Sequence, residues 1–332
     1  MKKETINTNE AGQRLDKYLK KYLSAAPGSF VYKMLRKKNI TLNDKKADGT
    51  EKLNLGDTVS FYFSDETMDK FHGKTQDNLQ AASQYEAAYF RLKKRCSVIY
   101  EDDNIVLFQK TAGVLSQKAK ETDISLNEAC IGYLLQSGCI TENDLNTFKP
   151  SICNRLDRNT SGIVICGKSL SGLQTMSRLL KERTLHKYYR CIVKGVMTEA
   201  SHLEGYISKD EKLNKVTVSK EFFTDSVPII TNYKPIRNNG KVTLLEVELV
   251  TGKTHQIRAH LASIGHPIIG DYKYGNAGFN QYYKERFLVE HQLLHAYRIE
   301  FPEDMKECSN LSGQIYLAEP PAVYQKIIEE NH

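Results

Sequence analysis

The sequence predicts an α+β protein: a small αα-plus-sheet module, then a large domain whose mixed, mostly antiparallel sheet is flanked by helices. Three observations carry this. Strand-like apolar runs alternate with several helical stretches, and no internal repeat organises them. The 332 residues suffice for one large core and one small one. Charge is divided unevenly: residues 1–63 hold 11 Lys and 2 Arg against 7 Asp and Glu, so +6 of the formal +7 lies there. A basic module on a nearly neutral body points to a polyanion partner.

In the module (residues 1–63), Leu15, Leu19, Tyr22 and Leu23 recur at helical spacing, with Lys17, Lys20 and Lys21 away from them. Pro27-Gly28-Ser29 breaks the chain, and Ser29 is expected to cap a second helix. On that helix Val31 and Leu35 face inward, while Lys33, Arg36 and Lys37 form one basic stripe suited to a phosphate backbone. Ile40-Thr41-Leu42 is strand-like, and Val59, Phe61 and Phe63 alternate with Ser60 and Tyr62. Residues 64–95 lack a sustained apolar period and are expected to be a linker, with at most a loose helix around Ala81-Ala82 and Ala87-Ala88.

The large domain (residues 96–332) opens with a hairpin, Val98-Ile99-Tyr100 and Ile105-Val106-Leu107-Phe108 about an acidic turn. Residues 122–139 are predicted helical and Gly138 is expected to end that helix; Ile163-Val164-Ile165-Cys166 is a strand, and Leu170 to Leu180 a helix. Val242 to Val250 gives the strongest strand signal, followed by a helix from about Thr254 to Ser263 expected to bury Ile257, Leu261 and Ile264 and to be stopped by Gly265 and Pro267. The tail from Gln314 to His332 is assigned no function.

Composition excludes several classes. No apolar run has the length needed to cross a bilayer, and no apolar stretch follows the basic start at Lys2-Lys3, so a cytoplasmic protein with no membrane partner is expected. The seven cysteines are scattered singly without a Cys-x-x-Cys pair, which argues for reduced, buried thiols and against a disulfide framework or zinc ribbon.

Chemistry concentrates in Asn154-Arg155-Leu156-Asp157-Arg158-Asn159-Thr160-Ser161-Gly162, just ahead of an apolar strand, where a reachable turn meets a rigid element. The block resembles the His-Arg-Leu-Asp-x-x-Thr-Ser-Gly signature of RluA-type pseudouridine synthases, departing only at Asn154. Lys110-Thr111-Ala112-Gly113 resembles that family's Lys-Pro-Ala-Gly turn, and Lys187-Tyr188-Tyr189 its Lys-x-Tyr segment. Thr251 to Arg258 resembles Thr-Gly-Arg-Thr-His-Gln-Ile-Arg, with Lys253 for the arginine, and Gly270-Asp271-Tyr272-Lys273-Tyr274-Gly275 resembles a further family turn. The order Gly12 to Asp16, Met34 to Lys38 and Leu55-Gly56-Asp57 looks like an S-four-type RNA-binding domain.

The resemblance implies isomerisation of uridine to pseudouridine in RNA, without cofactor or metal, by a monomer. Large-subunit ribosomal RNA is the implied substrate and tRNA the alternative. It assigns Asp157 as the carboxylate acting at the sugar, Arg258 as its cation and Tyr189 as the group against the uracil, with Arg155, Asn154 and Thr160 supporting. Arg14, Lys17, Lys33, Arg36 and Lys37 are the expected RNA contacts. Asn154 offers donors and an acceptor but no charge, so target choice or pH dependence is open to change there. The rivals are weaker. A zinc deaminase lacks its His-x-Glu and Pro-Cys-x-x-Cys pair, and His255 and His260 are out of phase as co-ligands. A glycosidase needs a second placed carboxylate, for which Glu246, Glu248 and Asp271 carry no matching motif. A non-catalytic RNA-binding or ribosome-assembly protein remains the alternative from another class.

Overall fold

The protein's structure, a computed structural model, describes residues 1–71 and 75–330, and residues 75–78 by their backbone alone. The amino-terminal module comprises β1 (Lys2–Thr5), α1 (Leu15–Tyr22), α2 (Gly28–Arg36), β2 (Ile40–Leu42), β3 (Lys45–Lys46) and β4 (Thr58–Phe61). Its antiparallel sheet runs β1-β4-β2-β3. Helical spacing puts Leu15, Leu19, Leu23, Val31 and Leu35 into one core with Ile40, Val59 and Phe61. The same spacing leaves Arg14, Lys17, Lys33, Arg36 and Lys37 exposed. The residue capping α2 is Pro27, not Ser29, which falls in the first turn.

The body follows as α3 (Asp65–Phe71), α4 (Thr75–Leu92), β5 (Cys96–Glu101), β6 (Ile105–Lys110), α5 (Leu126–Gln136), β7 (Ser151–Ile152), β8 (Ser161–Gly167), α6 (Leu170–Glu182) and β9 (His186–Lys194). It continues through β10 (Ser201–Asp210), β11 (Lys215–Ser219), β12 (Val227–Asn238), β13 (Val242–Leu249), α7 (Gln256–Ser263), α8 (Ala277–Phe287), β14 (Leu294–Glu300), β15 (Ile315–Leu317) and α9 (Val323–Ile328). One sheet runs β11-β10-β12-β13-β9-β14-β8-β6-β5, with β15 beside β14 and β7 beside β8. Every pairing among these is antiparallel except β14 with β8.

The middle of the sheet explains its continuous apolar runs. Val106, Phe108, Val164 and Cys166 face the core beneath α5, while Ile105, Leu107, Ile163 and Ile165 face the core beneath α6. A strand covered on both faces has no polar side to alternate. At the start of β8, Gly162 holds φ +115, and a Cβ there would lie 2.3 Å from the Ala296 carbonyl oxygen of β14. Only glycine permits this close parallel approach.

Three expectations need correction. The stretch 64–95 is helical rather than a linker: α4 lies along α5, with Ala82, Ala88 and Leu92 buried and Tyr85 and Tyr89 on the main core. That face mixes two alanines and one leucine with half-buried tyrosines, which gives a weak apolar signal, and the helices approach closely. At Gly132 of α5 a Cβ would stand 2.0 Å from the Tyr85 carbonyl oxygen. Residues 72–74 of that stretch lie outside the described residues. Second, Cys130 of α5 and Cys166 of β8 form a disulfide rather than staying as two thiols, because the two elements face each other across the core. Third, α5 and α7 are shorter than predicted; α7 starts at Gln256 because His255 adopts a left-handed conformation, φ 54. The module also touches the body, Thr147 Oγ1 donating to Glu10 at 2.8 Å.

Candidate active site

The loop from Asn154 to Thr160 joins β7 to β8 and is held from four sides. Asn154 acts as a piece of strand: its Oδ1 accepts from Ile165 N at 2.8 Å and its Nδ2 donates to Ile163 O at 3.4 Å. Ser116 Oγ donates to the Leu156 carbonyl at 2.8 Å and accepts the Leu156 amide at 3.0 Å. Lys110, fully buried, donates from Nζ to the carbonyls of Val114 (2.9 Å), Asp157 (3.2 Å) and Arg158 (3.2 Å). Burial pushes this ammonium down to about 8. Thr160 closes the turn, its amide donating to the Asp157 carbonyl at 3.0 Å.

Beyond the turn, His295 of β14 fixes Ser161. The Ala318 carbonyl, 2.8 Å from His295 Nε2, can only accept, so Nε2 carries the proton and Nδ1 accepts from Ser161 Oγ at 2.7 Å. Burial takes this histidine down to about 4, so it is neutral.

The Asp157 side chain meets a cation from a helix 101 residues later. Arg258 Nη1 of α7 donates to Asp157 Oδ2 at 2.7 Å. The same guanidinium grips Asp271 with Nε at 2.7 Å and Nη2 at 2.9 Å. Burial opposes the charge on Arg258, but Asp271 and then Asp157 outweigh it and hold the group firmly protonated. Asp271, itself wholly buried, also accepts the amides of Lys273 (2.9 Å) and Tyr274 (3.1 Å). Despite burial, these donors hold its carboxyl below the usual range, those from Arg258 contributing most. The predicted pair is thus one side of a carboxylate–guanidinium–carboxylate bridge in which one acid is sealed and the other reachable.

Asp157 opens on a cavity of about 720 Å³ that Asn154, Arg155, Thr160 and Tyr189 also line. Tyr189 projects from β9, and burial together with the Asp157 charge raises its hydroxyl, which stays protonated. Lys118, Arg155, Arg183, Lys187, Lys209 and Lys253 supply positive charge around the walls, where Asp157 is the one carboxylate among the lining residues. Burial and neighbouring Arg183 push Lys187 downward. Arg155 is exposed at the wall, while Arg14 of the module spends its guanidinium on Asp16 at 3.0 Å. Such a cavity suits a ligand that is anionic outside and neutral where it meets Asp157, as an everted nucleotide is.

An RNA pseudouridylate synthase family model matches residues 104–263. An RNA pseudouridine synthase of Mycoplasma genitalium is 30% identical over 88% of this chain and 86% of its own length. The chain belongs to the RNA pseudouridine synthase family. It isomerises uridine in RNA to pseudouridine. Ribosomal large subunit pseudouridine synthase C of Vibrio cholerae is 28% identical over 91% of this chain and 89% of its own. The fold matches human RNA Pseudouridylate Synthase Domain Containing 4 with a TM-score of 0.57 at 18% identity, over 75% of this chain and 99% of that one.

Sequence reasoning on this synthase missed three supports. The sequence offers Asp271 within a family-like turn and as a rival's second carboxylate, but not as the anchor of Arg258 that it is. Lys110 carried a signal in its family-like turn, though not its place beneath the loop. His255 lies beside Asp157, its Nε2 3.9 Å from Oδ2, and only the motif around it hinted at this.

Proposed function

We propose that the synthase modifies uridines of large-subunit ribosomal RNA and that Asp157 is the carboxylate that acts at the ribose. The observation carrying the assignment is that Asp157 lines the cavity with Arg258 engaging its Oδ2, while no hydrogen bond among the described residues occupies Oδ1. Oδ1 is then the oxygen that attacks the sugar or takes a proton from it. The glycosidic bond from C1′ to N1 breaks with its electron pair left on the uracil, the base turns in place, C1′ bonds to C5 (releasing the carboxylate in the attacking route), and the proton lost from C5 to a base, directly or through water, is matched by one gained at N1. Tyr189, kept protonated, holds the loosened uracil by stacking or hydrogen bonding. Extruding the base costs a few kcal/mol, roughly, which cationic walls and the basic module help offset. The module's contacts are Arg14, Lys17, Lys33, Arg36 and Lys37. The substrate choice leans on the names of the relatives from Vibrio cholerae and Pasteurella multocida, both ribosomal large subunit enzymes. Action in the cytoplasm as a monomer is part of the same proposal; among the described residues no helix is long and apolar enough to cross a membrane.

The test is Asp157→Asn, with pseudouridine mapped in cellular RNA and in transcripts incubated with purified protein. The expected outcome is loss of defined ribosomal positions with the substitution and their return with the wild-type chain. Lost positions in tRNA alone would move the substrate; full modification by Asp157→Asn would remove the assigned role.

A further inference from the structure

A tyrosine outside the signature blocks' catalytic positions ties a surface hairpin to the reacting acid. Tyr274 follows α7 and packs among Ile207, Val216, Ile229 and Ala259, between the β10–β11 hairpin and that helix. Its hydroxyl oxygen accepts the Val216 amide of β11 at 2.9 Å and lies 2.8 Å from His255 Nδ1. Its ring stacks against the Arg258 guanidinium at 5.2 Å, and its amide donates to Asp271 at 3.1 Å. Lys209 and Asn214 of the hairpin region line the cavity, and Lys273 Nζ donates to the Asn214 carbonyl.

We propose that Tyr274 is a positioning residue that registers the β10–β11 hairpin against the active carboxylate by fixing the His255 tautomer. The inference rests on the reading of Asp157 given above. The Val216 amide can only donate, so it takes a lone pair of the tyrosine oxygen. The hydroxyl proton is then free to go to His255 Nδ1. That makes Nδ1 an acceptor and leaves the ring proton on Nε2, which faces Asp157 Oδ2 across 3.9 Å. Arg258 and His255 therefore approach the same oxygen, and Oδ1 stays open. Burial lowers His255, so the neutral ring is the species whose tautomer matters. Backbone supports the arrangement: the left-handed φ of 54 at His255 aims the ring back over the loop rather than along α7. A phenylalanine at 274 would keep the packing and lose both hydroxyl contacts.

The experiment uses the full chain with ¹⁵N-labelled histidine, and tritium release from C5-labelled uridine in ribosomal transcripts. In the wild type, the His255 nitrogen shifts are expected to show Nε2 protonated and Nδ1 bare. Tyr274→Phe is expected to mix the tautomers and lower kcat roughly tenfold, the scale of one positioned hydrogen bond, with KM within about twofold. The double variant with His255→Ala should be no slower than His255→Ala alone, since the two act as one unit. Tyr272→Phe, at an exposed position two residues away, should match the wild type. A wild-type ring protonated on Nδ1, an unchanged kcat in Tyr274→Phe, or additive losses in the double variant each overturn the proposal. If Tyr274→Phe does not fold, the wild-type tautomer decides alone. Activity surviving Asp157→Asn signals instead that the underlying reading has failed, a result the tautomer measurement does not share.

Discussion

Two carboxylates share Arg258, and they are expected to answer the same substitution differently. Asp271 is wholly buried and takes two charge-assisted hydrogen bonds from the guanidinium, 2.7 and 2.9 Å, besides two backbone amides. In Asp271→Asn the amide turns a donor toward Arg258, and a nearly buried cation loses its sealed partner. Breaking such a pair from one side costs about 3–5 kcal/mol. At about 2 °C per kcal/mol for a chain this long, the melting midpoint should fall by about 6–10 °C. Asp157 is more open, with side-chain exposure of 27%, and holds Arg258 by one contact of 2.7 Å. Solvent discounts that contact, so Asp157→Asn should cost about 1 kcal/mol or less. Activity should invert the order. On the proposed role, Asp157→Asn removes the reacting group and should leave no measurable turnover. Asp271→Asn keeps it but frees the cation that holds it, with an expected loss of about 10²-fold, the scale of one displaced electrostatic group. Tritium release from C5 and thermal melting, run on both variants, settle the matter. Equal stability losses, or Asp271→Asn turning over within threefold of wild type, would refute the two-sided bridge.

His295 offers a pH test. Burial lowers it from 6.5 to about 4, a depression of about 2.5, so the unfolded chain binds its proton first. Stability contributed by the neutral ring is complete above pH 6.5 and is lost as pH falls toward 4, by about 3 kcal/mol. His295→Gln, which can still bond Ser161 and Ala318, should flatten that acid limb in urea titrations. Lys110 has the same sign in a higher window: lowered from 10.5 to about 8, it favours the unfolded state below pH 8 and ceases to above 10.5, a gain of up to about 3 kcal/mol with rising pH. Activity should nonetheless decline above about pH 8, because the ammonium that gathers the Asp157 and Arg158 carbonyls is lost, and Lys110→Met should be impaired at every pH. Replacing Lys33, Arg36 and Lys37 by alanine should weaken RNA binding and reduce the slope of log K against log salt by about 3, one for each phosphate contact. An unchanged slope would take the stripe out of the RNA interface.

What was legible in the chain follows from how each residue does its work. Asp157 stands in a polar block unusual ahead of an apolar strand, but its association with Arg258 and Tyr189 is legible only through the resemblance of their blocks to one family, since Tyr189 alone is an ordinary strand residue; all three line one cavity. Strands β6 and β8 announced themselves by unbroken apolar runs, since both faces are covered. The helix α4 did not, because its packed positions mix alanines with half-buried tyrosines, and it lies close over Gly132 of α5 rather than burying a run of large aliphatic side chains. The Cys130–Cys166 pair was equally silent: the two cysteines are 36 residues apart, and only the face-to-face placement of α5 and β8 brings them together.

The least legible feature is also the one on which the chemistry leans. A lone aspartate in a turn, as at Asp271, carries no pattern that distinguishes a surface acid from a sealed one. Its meaning arises only when α7 brings Arg258 down between it and the loop, 13 residues before Asp271 and 101 after Asp157. A guanidinium has a fork of donors, and two of them are committed to the sealed acid. The remaining Nη1 therefore reaches Asp157 from a fixed direction and can meet just one oxygen. A lysine at 258 would deliver charge without that direction. The direction from which Asp157 is held is thus set by Asp271, an acid that does not line the cavity.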